Sequence, residues 1–276
     1  MAVRKLVRTA GVAALLLGAL ALPGAAGAQE KPARLRILHL APDAPKIDVY
    51  LDGTRMLAGV PFKTATKHAQ VPAGAHTVDI RSAGSAGESL TTARVAATSG
   101  AAYTLVAVGL AAKHQALVLK DDFTAPPPGK AKLRAVDATP QSPPIDIAIA
   151  GGPVLFRNLT YPKATSFPTI DAGSVALEVR QAGTDRVLFR SGARPVPAGV
   201  ILTMAGTNSL TGTIEVLPIL DAAGAGATPR GGIATGAGGT APAEGAGLVG
   251  SLAAAVLALV AGGAIAVGRR RPGGAR

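Results

Sequence analysis

The stretch HLAPDAPKIDVYLDG, His39 to Gly53, carries one histidine and three aspartates (Asp43, Asp48, Asp52) within fifteen residues. Imidazole and carboxylate together form the donor set of a metal site and the acid–base set of a hydrolase. His39, Asp43 and Asp48 are the candidate metal ligands. Their spacing argues against calcium: the aspartates lack the D-x-D-x-D compactness of a calcium loop, and no paired glutamate closes the shell. Pro42 and Pro45 hold the backbone extended instead of wrapping it round an ion. The competing reading is structural. The prolines shape a bend between strands, Asp48 accepts backbone hydrogen bonds at that bend, and Asp52-Gly53 makes the next turn.

Other chemistry is sparse. The chain has no cysteine, and its four histidines (His39, His68, His76, His114) show no H-x-x-x-H spacing, so each reads as a surface or strand-end residue. There is no G-x-S-x-G elbow, phosphate-binding glycine loop or S-x-x-K motif. With five Phe, three Tyr and no Trp, few rings are left to serve as sugar platforms, and Tyr50 is the candidate. These observations point to a non-enzymatic protein with no catalytic residues and no cofactor.

The elements that position these residues occur twice. LRILHLAPDAPKIDVYLDG from Leu35 aligns with LRAVDATPQSPPIDIAIAG from Leu133 at an offset of 98. VPAGAHTVDIRSAG from Val71 aligns with IDAGSVALEVRQAG from Ile170 at an offset of 99. SGAAYTLVAVG from Ser99 aligns with AGVILTMAGT from Ala198. The body therefore divides into copies at 34–123 and 132–221, joined by a linker at 124–131. Three consecutive prolines stiffen that linker into a spacer, so the copies are expected to touch only modestly. The duplication is an internal control on the opening motif. His39 is matched by Asp137, Asp43 by Gln141 and Asp52 by Ala150; only Asp48 recurs, as Asp146. A metal site here would exist in one copy alone.

Within each copy the pattern is β. Thr77–Arg81 and Ala176–Arg180 alternate polar and apolar residues in the same phase, giving one wet and one buried face. Gly74 and Gly173 occupy equivalent turn positions that call for positive φ. Tyr103–Val108 and Ile201–Ala205 are the most apolar segments and read as central strands. Short strands between Gly, Pro and Ala turns predict an all-β fold of two tandem immunoglobulin-like β-sandwiches.

The opening run HLAPDAPKIDVYLDG, followed by VPAGAHTVDIRSAG, resembles the bacterial family called domain of unknown function 4397. Its members carry an H-x-[AS]-P-D-A-P-x-[VI]-D-V-Y-x-[DN]-G opening and a V-P-A-G-x-H-x-[VL]-x-[VIL]-R middle. The first copy matches both. The second keeps Pro140, Pro143, Ile145, Asp146, Gly151, Gly173 and Arg180. The resemblance implies tandem β-domains that are secreted or attached to a surface, and it brings no catalytic residues.

The formal charge of +12 is concentrated at the ends, in Arg4, Lys5 and Arg8 and in Arg269, Arg270, Arg271 and Arg276. Both basic groups flank apolar runs, which is a membrane-targeting pattern and not a nucleic-acid one. Residues 1–28 read as a signal peptide whose A-x-A site is cut between Ala28 and Gln29. Residues 222–247 read as an Ala/Gly-rich stalk. Residues 248–267, without a charge, read as a transmembrane helix, and 268–276 as a basic cytoplasmic tail. An alternative to a retained helix is sortase attachment at Thr235-Gly236, although the Leu and Pro of the usual sorting motif are missing. The expected product is an exported, single-pass cell-surface protein with its N-terminus outside, serving adhesion, structure or ligand presentation. Its partners would be the membrane, through the C-terminal helix, and a cell-wall or surface polymer. The alternatives are a secreted module that binds wall glycan or an anionic polymer, and an extracellular hydrolase.

Overall fold

The computed structural model describes residues 30–223, except 86–88, 111–112, 141 and 209–213. The signal peptide with Ala28 and Gln29, the stalk beyond residue 223, Thr235, Gly236, the apolar run and the basic tail all lie outside the described residues. Among the described residues no helix is long and apolar enough to cross a membrane.

The described chain is all β, in two halves. The first contains β1 (Ala33–His39), β2 (Lys46–Leu51), β3 (Thr54–Pro61), β4 (Thr64–Ala65), β5 (Ala69–Val71), β6 (Gly74–Ser82), β7 (Ser89–Ala97), β8 (Ala102–Val108) and β9 (Gln115–Lys120). The second contains β10 (Lys130–Ala138), β11 (Ile145–Ile149), β12 (Val154–Leu159), β13 (Lys163–Ala164), β14 (Thr169–Asp171), β15 (Gly173–Val175), β16 (Leu177–Gln181), β17 (Val187–Arg190), β18 (Arg194–Val196), β19 (Ile201–Asn208) and β20 (Ile214–Ala222). In the first half one sheet runs β4-β1-β8-β9, with β5 also on β1, and the other runs β3-β2-β6-β7. The second half repeats this as β13-β10-β19-β20, with β14 on β10, and β12-β11-β16-β17; a two-stranded β15-β18 ladder is added. β1 pairs with β8 in parallel, and β10 pairs with β19 in parallel. Gly74 and Gly173 both have positive φ, +137° and +143°, as their shared turn position requires.

Each half encloses its own core. Leu35, Ile37, Tyr103 and Leu105 meet Ile47, Val49, Val78 and Ile80 in the first. Leu133, Ala135 and Leu202 meet Ile145, Ile147 and Phe156 in the second. Side chains alternate across a strand, so the intervening residues of β1, β8, β10 and β19 face the other way. There they form a third core, in which Leu38, Leu40, Val106 and Val108 of the first half pack on Val136, Ala138 and Ala205 of the second. The modest contact expected from the Pro-rich joint is therefore wrong. The prolines stiffen only the linker, while the outward faces of β1, β8, β10 and β19 are apolar and bury each other. Two-sided burial also explains why Tyr103–Val108 and Ile201–Ala205 are the most apolar segments.

Candidate functional site

The opening motif is dispersed among separate structural tasks. His39, at the end of β1, is 0% exposed. Its Nε2 donates to the Ala44 carbonyl at 2.7 Å, and its ring meets the Phe62 ring edge-on at 5.9 Å. Burial lowers its pKa, so it sits there neutral. Of the two placements expected for this histidine, surface or strand end, the strand end holds and the surface does not: it closes β1 with its side chain buried, tied to the β1–β2 bend. Asp43, in the loop after β1, lies 3.0 Å from His114 Nε2. Asp48 is 3% exposed and accepts from Gly59 N at 2.7 Å and Gly84 N at 3.3 Å. Among the described residues no three His, Cys, Asp or Glu side chains come together as a metal donor set. Tyr50, the expected ring platform, is half-buried, with the Arg81 guanidinium 4.5 Å from its ring centroid.

The one recurring acid has a recurring task. The β2–β3 pairing slips between Ile47 and Val49, so that two residues of β3 stand opposite Asp48. Its carboxylate takes the N–H of Gly59 at that bulge, where φ is +61°. In the second half Asp146 accepts from Asn158 N at 2.7 Å and Gly183 N at 3.2 Å. Asn158 stands at the equivalent bulge with φ +52°. The expectation that Asp48 takes backbone donors holds, but the donors belong to β3 and to the turn after β6 and not to its own bend.

Three histidines pair with carboxylates: His68 with Asp121 at 3.0 Å, His76 with Asp52 at 2.6 Å and His114 with Asp43 at 3.0 Å. Among the described residues, no Ser or Thr hydroxyl hydrogen-bonds to a histidine ring, as an activated nucleophile would. Asp137, which replaces His39, is buried and accepts from Thr139 N, Thr139 Oγ1 and Ser142 Oγ. Burial raises its pKa against those bonds.

The densest polar constellation lies between the halves, in residues the motif reading passed over. Arg36 on β1 donates to Thr104 Oγ1 at 2.8 Å and pairs with Asp221 of the second half. Arg134 on β10 donates to Thr203 Oγ1 at 3.1 Å and lies 2.9 Å from Asp121 of the first half. Thr104 in turn bonds Asp121, and Thr203 bonds Asp221. Each half thus supplies an arginine and an aspartate, and each arginine pairs across the seam, as in the self-complementary interface of a two-fold dimer. All four charged side chains are at most 5% exposed. Burial pushes the Asp121 carboxyl up, but the His68 bond, the charges of Arg134 and Arg36, and Thr104 outweigh it and hold it below its ordinary value. The missed signal was the recurrence of Arg36 as Arg134 and Asp121 as Asp221 at matching places in two copies that otherwise agree weakly.

Two open grooves flank this seam. One, of about 690 Å³, runs between Ala65–His68 and β20. The other, of about 680 Å³, is lined by Arg34, Lys120, Asp122, Phe123 and Phe167.

The family model described as "Domain of unknown function (DUF4397)" matches residues 33–148 and again 134–231. The chain belongs to the DUF4397 family, in two copies. No curated protein matches it. Among solved structures it is similar to a carbohydrate-binding module of family CBM26 from Eubacterium rectale Amy13K, solved with maltoheptaose. That likeness has 11% identity and a TM-score of 0.23, over 68% of this chain and 97% of the module. At such a score it carries nothing about the ligand of the DUF4397 pair.

Proposed function

We propose that this DUF4397 protein is a non-enzymatic cell-surface protein whose two halves act as one rigid body for adhesion or ligand presentation. The observation that carries this reading is the seam. Crossed arginine–aspartate pairs and a shared apolar core fix the halves to each other, as suits a display body more than a pair of mobile catalytic domains. The two facing sheets of each half support the immunoglobulin-like description. The acids and the histidine of the opening motif are engaged in bulges, bends and pairs, which also supports a structural role.

In this reading the N-terminal segment exports the chain, and residues 248–267 hold it with the body outside and Arg269–Arg271 inside. Cell fractionation with activity screening tests it. The expected outcome is recovery in detergent extracts of membranes, accessibility to external protease, and no turnover of glycoside, ester or peptide substrates. Release only by wall digestion, with the chain ending at Thr235, replaces the helix with sortase attachment. Turnover lost on replacing His68 or His114 overturns the non-enzymatic reading. A second reading, a module for an anionic surface polymer, is favoured by the exposed cations Arg34 and Lys120 beside the second groove.

A further inference from the structure

We propose that the groove between the halves at Phe123 and Phe167 binds a segment of an acidic polysaccharide, with sugar faces on the phenyl rings and carboxylates on Arg34 and Lys120. The inference rests on the second reading above and names its ligand class. The site is a product of the seam. Arg34, Gly100–Ala102, Lys120 and Phe123 come from the first half, Thr124 from the joint, and Ser166 and Phe167 from the second half. Neither half contains it alone. Its volume, about 680 Å³, falls in the range of ligand sites.

The lining specifies the chemistry. Aromatic rings are scarce in this chain. Tyr103, Phe156 and Phe189 are used in the cores, yet two half-exposed rings line this one groove. Each carries a guanidinium: Arg34 Cζ lies 5.1 Å from the Phe123 centroid, and Arg134 Cζ lies 4.5 Å from that of Phe167. Arg134 is neutralised by Asp121. Asp122 is neutralised by Lys132 at 2.6 Å, which holds its carboxyl down at about 2. Arg34 and Lys120 are exposed, and among the described residues no carboxylate pairs with either. The charge left over is positive, so the complementary occupant is anionic. A guanidinium fork and an ammonium suit carboxylates, while phenyl rings suit the flat C–H face of a pyranose. An acidic sugar chain offers both. A polyol phosphate lacks the flat apolar face, and a neutral glucan leaves the cations unused. The opposite groove, where Lys63 is paired with Glu215 at 2.5 Å and Arg36 with Asp221 while Lys67 stands exposed, has no Phe or Tyr in its lining to carry a sugar face.

Calorimetry on the intact exported chain, with polygalacturonate, amylose and poly(glycerol phosphate) as probes, tests this. The expected result is binding to polygalacturonate that weakens with salt, with little binding to the other two. Arg34→Ala combined with Lys120→Ala should weaken it about tenfold or more without moving the melting temperature, because both side chains are exposed. Phe167→Ala should weaken it too, and Phe167→Tyr, which keeps the ring, should retain it. Equal binding to amylose, tighter binding to poly(glycerol phosphate), or full affinity in the double variant would each overturn the site. An absence of all binding also overturns it and the polymer-binding reading, but leaves the surface-display reading to stand or fall on fractionation.

Discussion

Asp48 and Asp146 are the residues on which local structure depends most directly. Each carboxylate is buried and takes two backbone N–H groups from neighbouring segments. Removing such an acceptor strands buried donors, so Asp48→Ala and Asp146→Ala should each cost about 1–3 kcal/mol. Asp43→Ala, which loses a partly exposed contact with His114, should cost about 1 kcal/mol or less. Denaturant titration separates the two classes, and equal costs would remove the bulge clamp. The pH dependence has a fixed sign. The hydrogen bond from Gly59 leads in lowering the Asp48 pKa, so its contribution is present above the unfolded value of about 4 and lost as pH falls through the folded value. His39 is lowered by burial. Neutral imidazole is favoured in the folded chain, and stability should fall as pH drops below about 6.5. His39→Gln should flatten that limb of the stability–pH profile; an unchanged limb would assign it to other groups. Because His39 is fully buried, His39→Ala should also be costly, contrary to what a surface histidine implies.

At the scale of elements, the bulge opposite Asp48 and Asp146 sets a backbone demand. Gly59 has φ +61° and a side chain there would meet nothing within 4 Å, so Gly59→Ala should cost only the left-handed backbone, about 1–2 kcal/mol. Asn158 holds the same conformation, and Asn158→Gly should be neutral or slightly stabilising, both changes being read by the same denaturant titration. Much of this layer was legible. The matched offsets located the duplication, and period-two alternation at Thr77–Arg81 gave β6 its faces. What alternation could not give was the partner of the second face. In LRILHL the odd-numbered positions Leu35, Ile37 and His39 fill one core, while Arg36, Leu38 and Leu40 turn outward toward another half whose presence a single strand does not encode. An arginine inside an apolar strand looks like a solvated exception until its counter-charge, nearly two hundred residues away at Asp221, is brought to it. The burial of His39 at its strand end is hidden for the same reason: its acceptor is a backbone carbonyl at Ala44, which leaves no trace in side-chain spacing.

The two halves are held to each other by the seam, and the seam yields the sharpest test. Buried ion pairs are poor stabilisers relative to apolar packing but costly to break singly. Arg134→Ala leaves Asp121 buried without its cross-half cation, and Asp121→Ala leaves Arg134 likewise; each single change should cost about 3–5 kcal/mol. Because the arginine belongs to one half and the aspartate to the other, either change should lower the unfolding midpoint of both halves together. Arg134→Met with Asp121→Leu removes both charges and fills the space, and should restore most of that loss or exceed wild type. The coupling in this double-mutant cycle measures the pair across the seam. A parallel cycle on Arg36 and Asp221 should give a similar value, since the two pairs are related by the duplication. If either single variant unfolded one half early while the other kept its own transition, the halves would be independent domains on a tether. In that case the groove between them, and the ligand class assigned to it, would lose its structural basis.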